Sequence, residues 1–184
     1  MIRIAAICAI ALIAATAAAQ HQPYSGLQQR TIKALSDREI DDLRAGRGMG
    51  MALPAELNGY PGPVHVLELA DKLQLSAQQR ERTQALFEAM KAEAIPLGER
   101  LLQQETALDS AFGRRTITAQ SLREMTAAIG ATRASLRAAH LRYHLSQVEI
   151  LSLDQIARYD SLRGYGGSPA HGHGEHDPAR HHHK

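Results

Sequence analysis

Hydrophobic residues recur at helical spacing through the centre of the chain. The first series has one apolar residue every three or four positions, apart from Gln104: Phe87, Met90, Ala94, Leu97, Leu101, Leu108 and Phe112. The second series keeps that spacing and includes one threonine: Leu122, Met125, Ile129, Thr132, Leu136, Ala139 and Tyr143. Narrow stripes of this kind are typical of helices that pack along another helix. The pattern therefore predicts two long helices forming an antiparallel hairpin.

Capping signals predict where the helices begin. Ser76 and Ser152 each open a Ser-x-x-Gln sequence, and Ser36 opens a Ser-x-x-Glu sequence. In such a capping box the hydroxyl accepts the backbone N–H three residues on, and the longer side chain reaches back. Thr118 can cap the return helix, and Pro63 suits the first turn of a short helix over residues 64–73.

Glycine and proline divide the chain into segments. They occupy eight of the eighteen positions from 46 to 63 and seven of the last twenty-one, but only four positions between 64 and 163. A block with so few helix breakers favours helix throughout. We predict an all-α fold with one helical domain over residues 63–165. A flexible arm with a short helix, residues 20–62, precedes it, and a disordered, His-rich tail, residues 166–184, follows.

The N-terminus has the pattern of a secretory signal peptide over residues 1–19. A short basic start with Arg3 precedes an apolar run, and small residues stand before Gln20. The alternative is a membrane anchor, but the run is shorter than the ~20 strongly apolar residues that span a bilayer. We expect a cleaved, periplasmic protein with no transmembrane span. Cleavage would remove Cys8 and leave no thiol, so metal ligands would have to be His, Asp, Glu or Met.

Composition excludes several function classes. The chain carries 21 Lys and Arg against 19 Asp and Glu, and it has two Phe, five Tyr and no Trp. A balanced charge and few aromatic residues argue against nucleic-acid binding. We also expect no enzymatic activity, because no phosphate loop, nucleophile elbow or paired catalytic carboxylates are found. The stretch from His140 to His144 lacks the Glu of the zinc-protease motif.

The ten histidines are the candidate chemistry. His140 and His144 lie one helical turn apart and can share an ion. Zinc prefers four ligands, and His65 is the natural third candidate, with Glu68 and Glu149 weaker ones. The alternative is that the helical pair packs by its rings with solvated tips.

A second metal hypothesis concerns the tail histidines: His171, His173, His176, His181, His182 and His183. Gly, Pro and carboxylates separate most of them, so the segment can wrap an ion without a fixed backbone. An expression tag is the alternative. We predict a divalent transition metal as ligand, zinc first, with copper or nickel as alternatives. Met49 and Met51 in the Gly-rich arm could bind cuprous ion, but an ordinary linker is the better interpretation of that segment.

Two five-residue segments resemble the paired Leu-Thr-x-x-Gln motifs of the Spy/CpxP family, with Ser in place of Thr. They are Leu75-Ser76-Ala77-Gln78-Gln79 and Leu151-Ser152-Leu153-Asp154-Gln155. The resemblance covers residues 63–165. The His-rich tail is similar to that of the zinc resistance-associated relatives, and periplasmic heavy-metal sensors are also related. The resemblance implies an ATP-independent periplasmic chaperone or a metal-responsive envelope-stress protein that forms dimers or larger assemblies.

The function predicted first is a metal-binding periplasmic chaperone that keeps unfolded envelope proteins from aggregating. The alternative is a heavy-metal sensor or resistance accessory protein read by a membrane signalling partner. A homodimer or larger homo-oligomer is expected, because a single hairpin with thin apolar stripes buries little surface. The return helix carries Arg123, Arg133, Arg137 and Arg142 against Glu124 alone. These arginines either attract acidic clients or pair with glutamates on the first long helix.

Overall fold

The computed structural model describes residues 24–165, and this range contains only helices, turns and loops. The α-helices are α1 (Asp37–Arg44), α2 (Leu53–Glu56), α3 (Pro63–Glu68), α4 (Ala77–Gly113), α5 (Ala119–Val148) and α6 (Leu153–Arg163). The all-α fold is therefore confirmed. Within the described range, no helix combines the length and apolarity needed to cross a membrane. The predicted signal peptide and the tail histidines lie outside the described residues.

Helices α4 and α5 form the predicted antiparallel hairpin. Arg133 pairs with Glu105 at 2.6 Å, and Arg142 pairs with Glu93 at 3.0 Å. The second pair lies farther from the turn in both helices, as an antiparallel arrangement requires. Two of the four arginines of the return helix therefore pair with the first long helix, as one of the two interpretations of these arginines predicted.

All four predicted caps form. Ser36, Ser76, Thr118 and Ser152 each accept the backbone N–H three residues on, and in each case the side chain at that position reaches back. These bonds satisfy backbone donors that a helix leaves open at its N-terminus. Pro63 begins α3 as predicted, but α3 ends at Glu68, before residue 73. The chain turns there and reaches Gln74 with a left-handed φ of 52°.

The two Ser-x-x-Gln boxes also contact each other. The Gln79 amide donates to Gln155 Oε1 at 2.8 Å and to the Ile150 carbonyl at 2.9 Å. The Gln155 amide donates to the Leu73 carbonyl at 3.2 Å. A glutamine can cap a helix with its oxygen and still donate with its nitrogen, which a carboxylate cannot do. The paired motifs therefore fasten the start of α6 to the start of α4.

The N-terminal arm is part of the folded domain over its described residues. Ile32, Leu35, Ile40 and Leu43 are buried against α4 and α5. The glycine and proline content of residues 46–63 predicts a flexible segment here, but the few apolar residues before it are enough to pack this segment on the hairpin. These four side chains cover part of the apolar stripe of the hairpin. A second copy of the chain was expected to cover that stripe.

Candidate metal-binding site

A cavity of about 220 Å³ lies where the arm, the start of α3, both long helices and the end of α6 meet. We call it the central pocket. The predicted ligands His65, His140 and His144 all line it. Within residues 24–165, however, no three His, Cys, Asp or Glu side chains stand close enough together to hold an ion. The fold thus brings the three histidines to one cavity without assembling a complete ligand set from these residue types.

His140 has the least satisfied side chain in the pocket. It is only 2 % exposed, and its Nε2 has no hydrogen-bond partner among residues 24–165. The backbone of the arm lies close to the imidazole ring at Gly48, where an added Cβ would be 3.6 Å from His140 Nδ1. A buried polar atom without a partner costs about 1–3 kcal/mol. A buried nitrogen without a hydrogen-bond partner is unusual in native proteins.

His144 is oriented by the backbone. Its Nδ1 lies 2.7 Å from the Tyr60 carbonyl, so this nitrogen carries the proton and donates it. Nε2 is then the lone-pair nitrogen, and it lies against Gly62, where an added Cβ would be 3.0 Å away. Metal-binding histidines are commonly held in this way, with the second nitrogen bonded to a carbonyl.

The other predicted ligands are placed less favourably. His65 is partly exposed, and its Nδ1 lies 2.9 Å from Glu68 Oε2. Glu68 thus orients His65 and is not among the residues that line the pocket. Glu149 is the C-cap of α5, and it too is not a lining residue.

Glu56 is a buried carboxylate that the sequence analysis missed. It accepts hydrogen bonds from the hydroxyls of Tyr159 and Tyr165, the latter at 3.2 Å, and from the Gly62 N–H at 3.1 Å. Arg163 Nε lies 3.6 Å from it. Burial and the bond to this carboxylate raise the pKa of Tyr159 well above its usual range, so Tyr159 stays a donor. An isolated glutamate in a Gly- and Pro-rich stretch gives no pattern that predicts this role.

Two methionines complete the chemically relevant lining. Met90 on α4 is 6 % exposed and Met49 in the arm is 39 % exposed. The spacing on α4 placed Met90 in a packing stripe, and it is indeed buried. That spacing could not show that the stripe borders a cavity.

The burial of His140 predicts a pH-dependent stability. Burial, and secondarily the nearby His144, lower the pKa of His140 below its ordinary value of 6.5, and Glu93 opposes this weakly. As pH falls, this histidine is protonated in the unfolded chain before it is protonated in the folded chain. The free energy of unfolding therefore decreases as pH drops below 6.5. The contribution is at most about 1.4 kcal/mol per pH unit. Urea unfolding at pH 7.5, 6.5 and 5.5 measures it.

The matched variants for this measurement are His140→Gln and Gln104→Leu. Gln104 also has a buried oxygen with no partner in the described part of the chain, but it lies outside the pocket. We expect His140→Gln to remove part of the pH dependence and Gln104→Leu to keep all of it. An unchanged slope in His140→Gln would show that His140 protonates equally in both states.

Comparisons with known proteins gave no match: no family model, curated protein or solved structure matches this chain. The resemblance of the two Leu-Ser-x-x-Gln motifs to the Spy/CpxP family therefore stays a prediction. The geometry of the central pocket is the main basis for assigning a function.

Proposed function

We propose that this protein binds a transition metal ion in the central pocket and acts as an exported, metal-responsive protein of the periplasm. The unpartnered Nε2 of His140 carries the proposal. It is buried one helical turn from His144, whose own Nε2 is left free because Nδ1 donates to Tyr60. Two imidazoles at this spacing can bind one ion.

Ligation would give the orphan nitrogen a partner. The bond to an ion would offset the cost of burying Nε2, and the closely packed walls at Gly48 and Gly62 would limit competing water. His65 lines the same cavity and is available for a further position. Zinc, copper and nickel all accept imidazole nitrogen.

The test uses the full chain with the six tail histidines replaced by Asn, so that only the central pocket is measured. Calorimetry with Zn²⁺ is expected to show about one ion per chain, as the two-imidazole geometry implies. His140→Gln should lower the affinity at least about tenfold, since it removes one of few ligands. Gln104→Leu is the control and should bind as the parent does. Equal affinity in His140→Gln would contradict the proposal.

The position of the pocket supports a sensor role. Its walls come from the arm, α3, α4, α5 and the end of α6. An ion bound there would contact several elements at once and so could shift their packing. We propose that a membrane signalling partner recognises this change in packing.

Chaperone-like binding of unfolded envelope proteins is the second candidate function. Several large apolar side chains are exposed on the described surface: Tyr24, Leu53, Leu57, Phe112, Leu145, Leu153 and Leu162. A groove of about 650 Å³ also lies between α1 and α4, but Ile32, Ile40 and Leu102 in its lining are largely buried and add little apolar surface. A homodimer would cover some of this surface.

The purified chain should then slow the aggregation of a denatured client at near-stoichiometric ratio without nucleotide. Light scattering with and without Zn²⁺ measures this effect. Leu153→Ser, which changes the most exposed of these leucines at 84 %, should weaken it without unfolding the domain. Identical aggregation with and without the protein would exclude the chaperone role.

A further inference from the structure

We infer that the central pocket is selective for a soft monovalent ion of the Cu⁺ and Ag⁺ class, bound by the thioethers of Met49 and Met90 together with His140. This inference rests on the proposed metal site and adds the class of ion. Thioether sulfur is a ligand that favours cuprous ion. The proposed ligands come from the arm, α4 and α5.

The sulfur atoms of the lining belong to these two methionines. Met90 is buried on the wall formed by α4, and Met49 is partly exposed at the arm. Methionine side chains have three rotatable bonds, so each sulfur can adjust to an ion without moving the backbone. Met51, two residues beyond Met49, instead packs on the buried side chains between the arm and the hairpin, and it does not line this pocket.

Hard oxygen ligands are scarce in the pocket. Glu56 supplies the one carboxylate of the lining that the structure describes, and that group already accepts hydrogen bonds from Tyr159, Tyr165 and Gly62. Arg163 also lines the cavity and adds positive charge. The guanidinium lies 3.6 Å from the Glu56 carboxylate and offsets its charge, so the pocket holds little net negative charge that would favour a divalent ion.

The ligand number also favours a soft ion. Zinc sites are usually four-coordinate with nitrogen, thiolate or carboxylate ligands. The described pocket does not bring three His, Cys, Asp or Glu side chains into one such group. Adding two thioethers to the buried imidazole gives three neutral, soft or borderline donors around one cavity.

The local backbone at Met49 fits a specific role for this residue. Its φ of 45° is left-handed, and it stands between Gly48 and Gly50. A bulky side chain rarely adopts this conformation, and such strain persists only where the surroundings hold it.

The experiment compares Met49→Leu, Met90→Leu and the control Met51→Leu in the full chain with the tail histidines replaced by Asn. Ag⁺ is measured by calorimetry in nitrate buffer, Cu⁺ by competition with a chromogenic chelator under anaerobic reducing conditions, and Zn²⁺ by calorimetry. Leucine is close to methionine in volume, so folding should be preserved. Far-UV circular dichroism checks this.

Met49→Leu and Met90→Leu are expected to weaken Ag⁺ and Cu⁺ binding at least about tenfold and to change Zn²⁺ binding by less than about twofold. Met51→Leu should change neither. If Ag⁺ and Cu⁺ affinities survive both substitutions but fall in His140→Gln, the soft-ion inference is overturned while the metal site stands. If His140→Gln changes the affinity for none of the three ions, both the proposed function and this inference are wrong.

A second readout uses oxidation by peroxide. Saturating Ag⁺ should slow the conversion of Met49 to its sulfoxide and leave Met51 unaffected, as measured by peptide mass spectrometry. Equal protection of both residues, or of neither, would contradict direct ligation by Met49.

Discussion

Replacing Gly98 with Ala is expected to destabilise the fold by about 2 kcal/mol, within the cost of overpacking a close contact. In an open helix the same change stabilises by about 1 kcal/mol, because alanine has the higher helix propensity. At position 98 the new Cβ would lie 2.4 Å from the Leu43 carbonyl oxygen and 2.9 Å from its carbon. These are backbone atoms at the end of α1, so a side-chain rotation cannot relieve the clash. The arm has to move away from α4.

Gly130→Ala is the matched control. Gly130 also lies inside a long helix, but a Cβ there meets no atom of the other described residues within 4 Å. The two variants should therefore shift the urea midpoint in opposite directions. Trypsin adds a local readout, because Arg44 and Arg47 flank the end of α1 and should be cleaved faster only in Gly98→Ala. Equal stabilisation by both substitutions would show that α1 does not sit on α4 as described.

Glu56→Ala is expected to cost about 3 kcal/mol, the size of effect seen when a buried charged pair loses one partner. Glu56 is 6 % exposed and accepts from the fully buried Tyr159. Its removal leaves the Tyr159 hydroxyl without an acceptor and Arg163 without its nearest carboxylate. The effect should be largest for α6, which carries both of these residues.

Thermal and urea unfolding of Glu56→Ala and Glu99→Ala provide the comparison. Glu99 also pairs with an arginine, Arg44 at 3.8 Å, but its side chain is 47 % exposed. Exposed pairs contribute only about 0–1 kcal/mol. A double-mutant cycle of Glu56→Ala with Tyr159→Phe should show coupling between the two residues. Equal losses for Glu56→Ala and Glu99→Ala would contradict the role of Glu56 as a buried acceptor.

Local signals in the sequence predicted the elements that depend on local structure. The Ser and Thr caps, the two long helices and the helical pair of His140 and His144 all follow from interactions within a few residues. The spacing of His140 and His144 also predicted that they share a face. The structure adds that both are buried in one cavity, which the spacing alone left open.

The remaining features depend on contacts between distant segments. The arm packs because Gly98 lets Leu43 approach α4, and neither residue signals this contact in its own segment. Glu56 is buried by partners more than a hundred residues away, Tyr159 and Tyr165. Met90 follows the same spacing as the core residues around it. Such roles become visible only when the tertiary packing is known.

The contact between Gln79 and Gln155 fixes the base of the hairpin, the end away from the turn, whereas the arm meets the tip beside the turn through the Lys33–Asp109 ion pair at 3.1 Å. These amides, the buried Leu73 and Leu151 beside them and the central pocket lie in the half of the hairpin away from the turn. Phe112 at the opposite end is 53 % exposed. Opening should therefore start at the tip and move towards the base, so amide hydrogen exchange should be fastest beside the turn. Local opening at the turn would then leave the central pocket assembled.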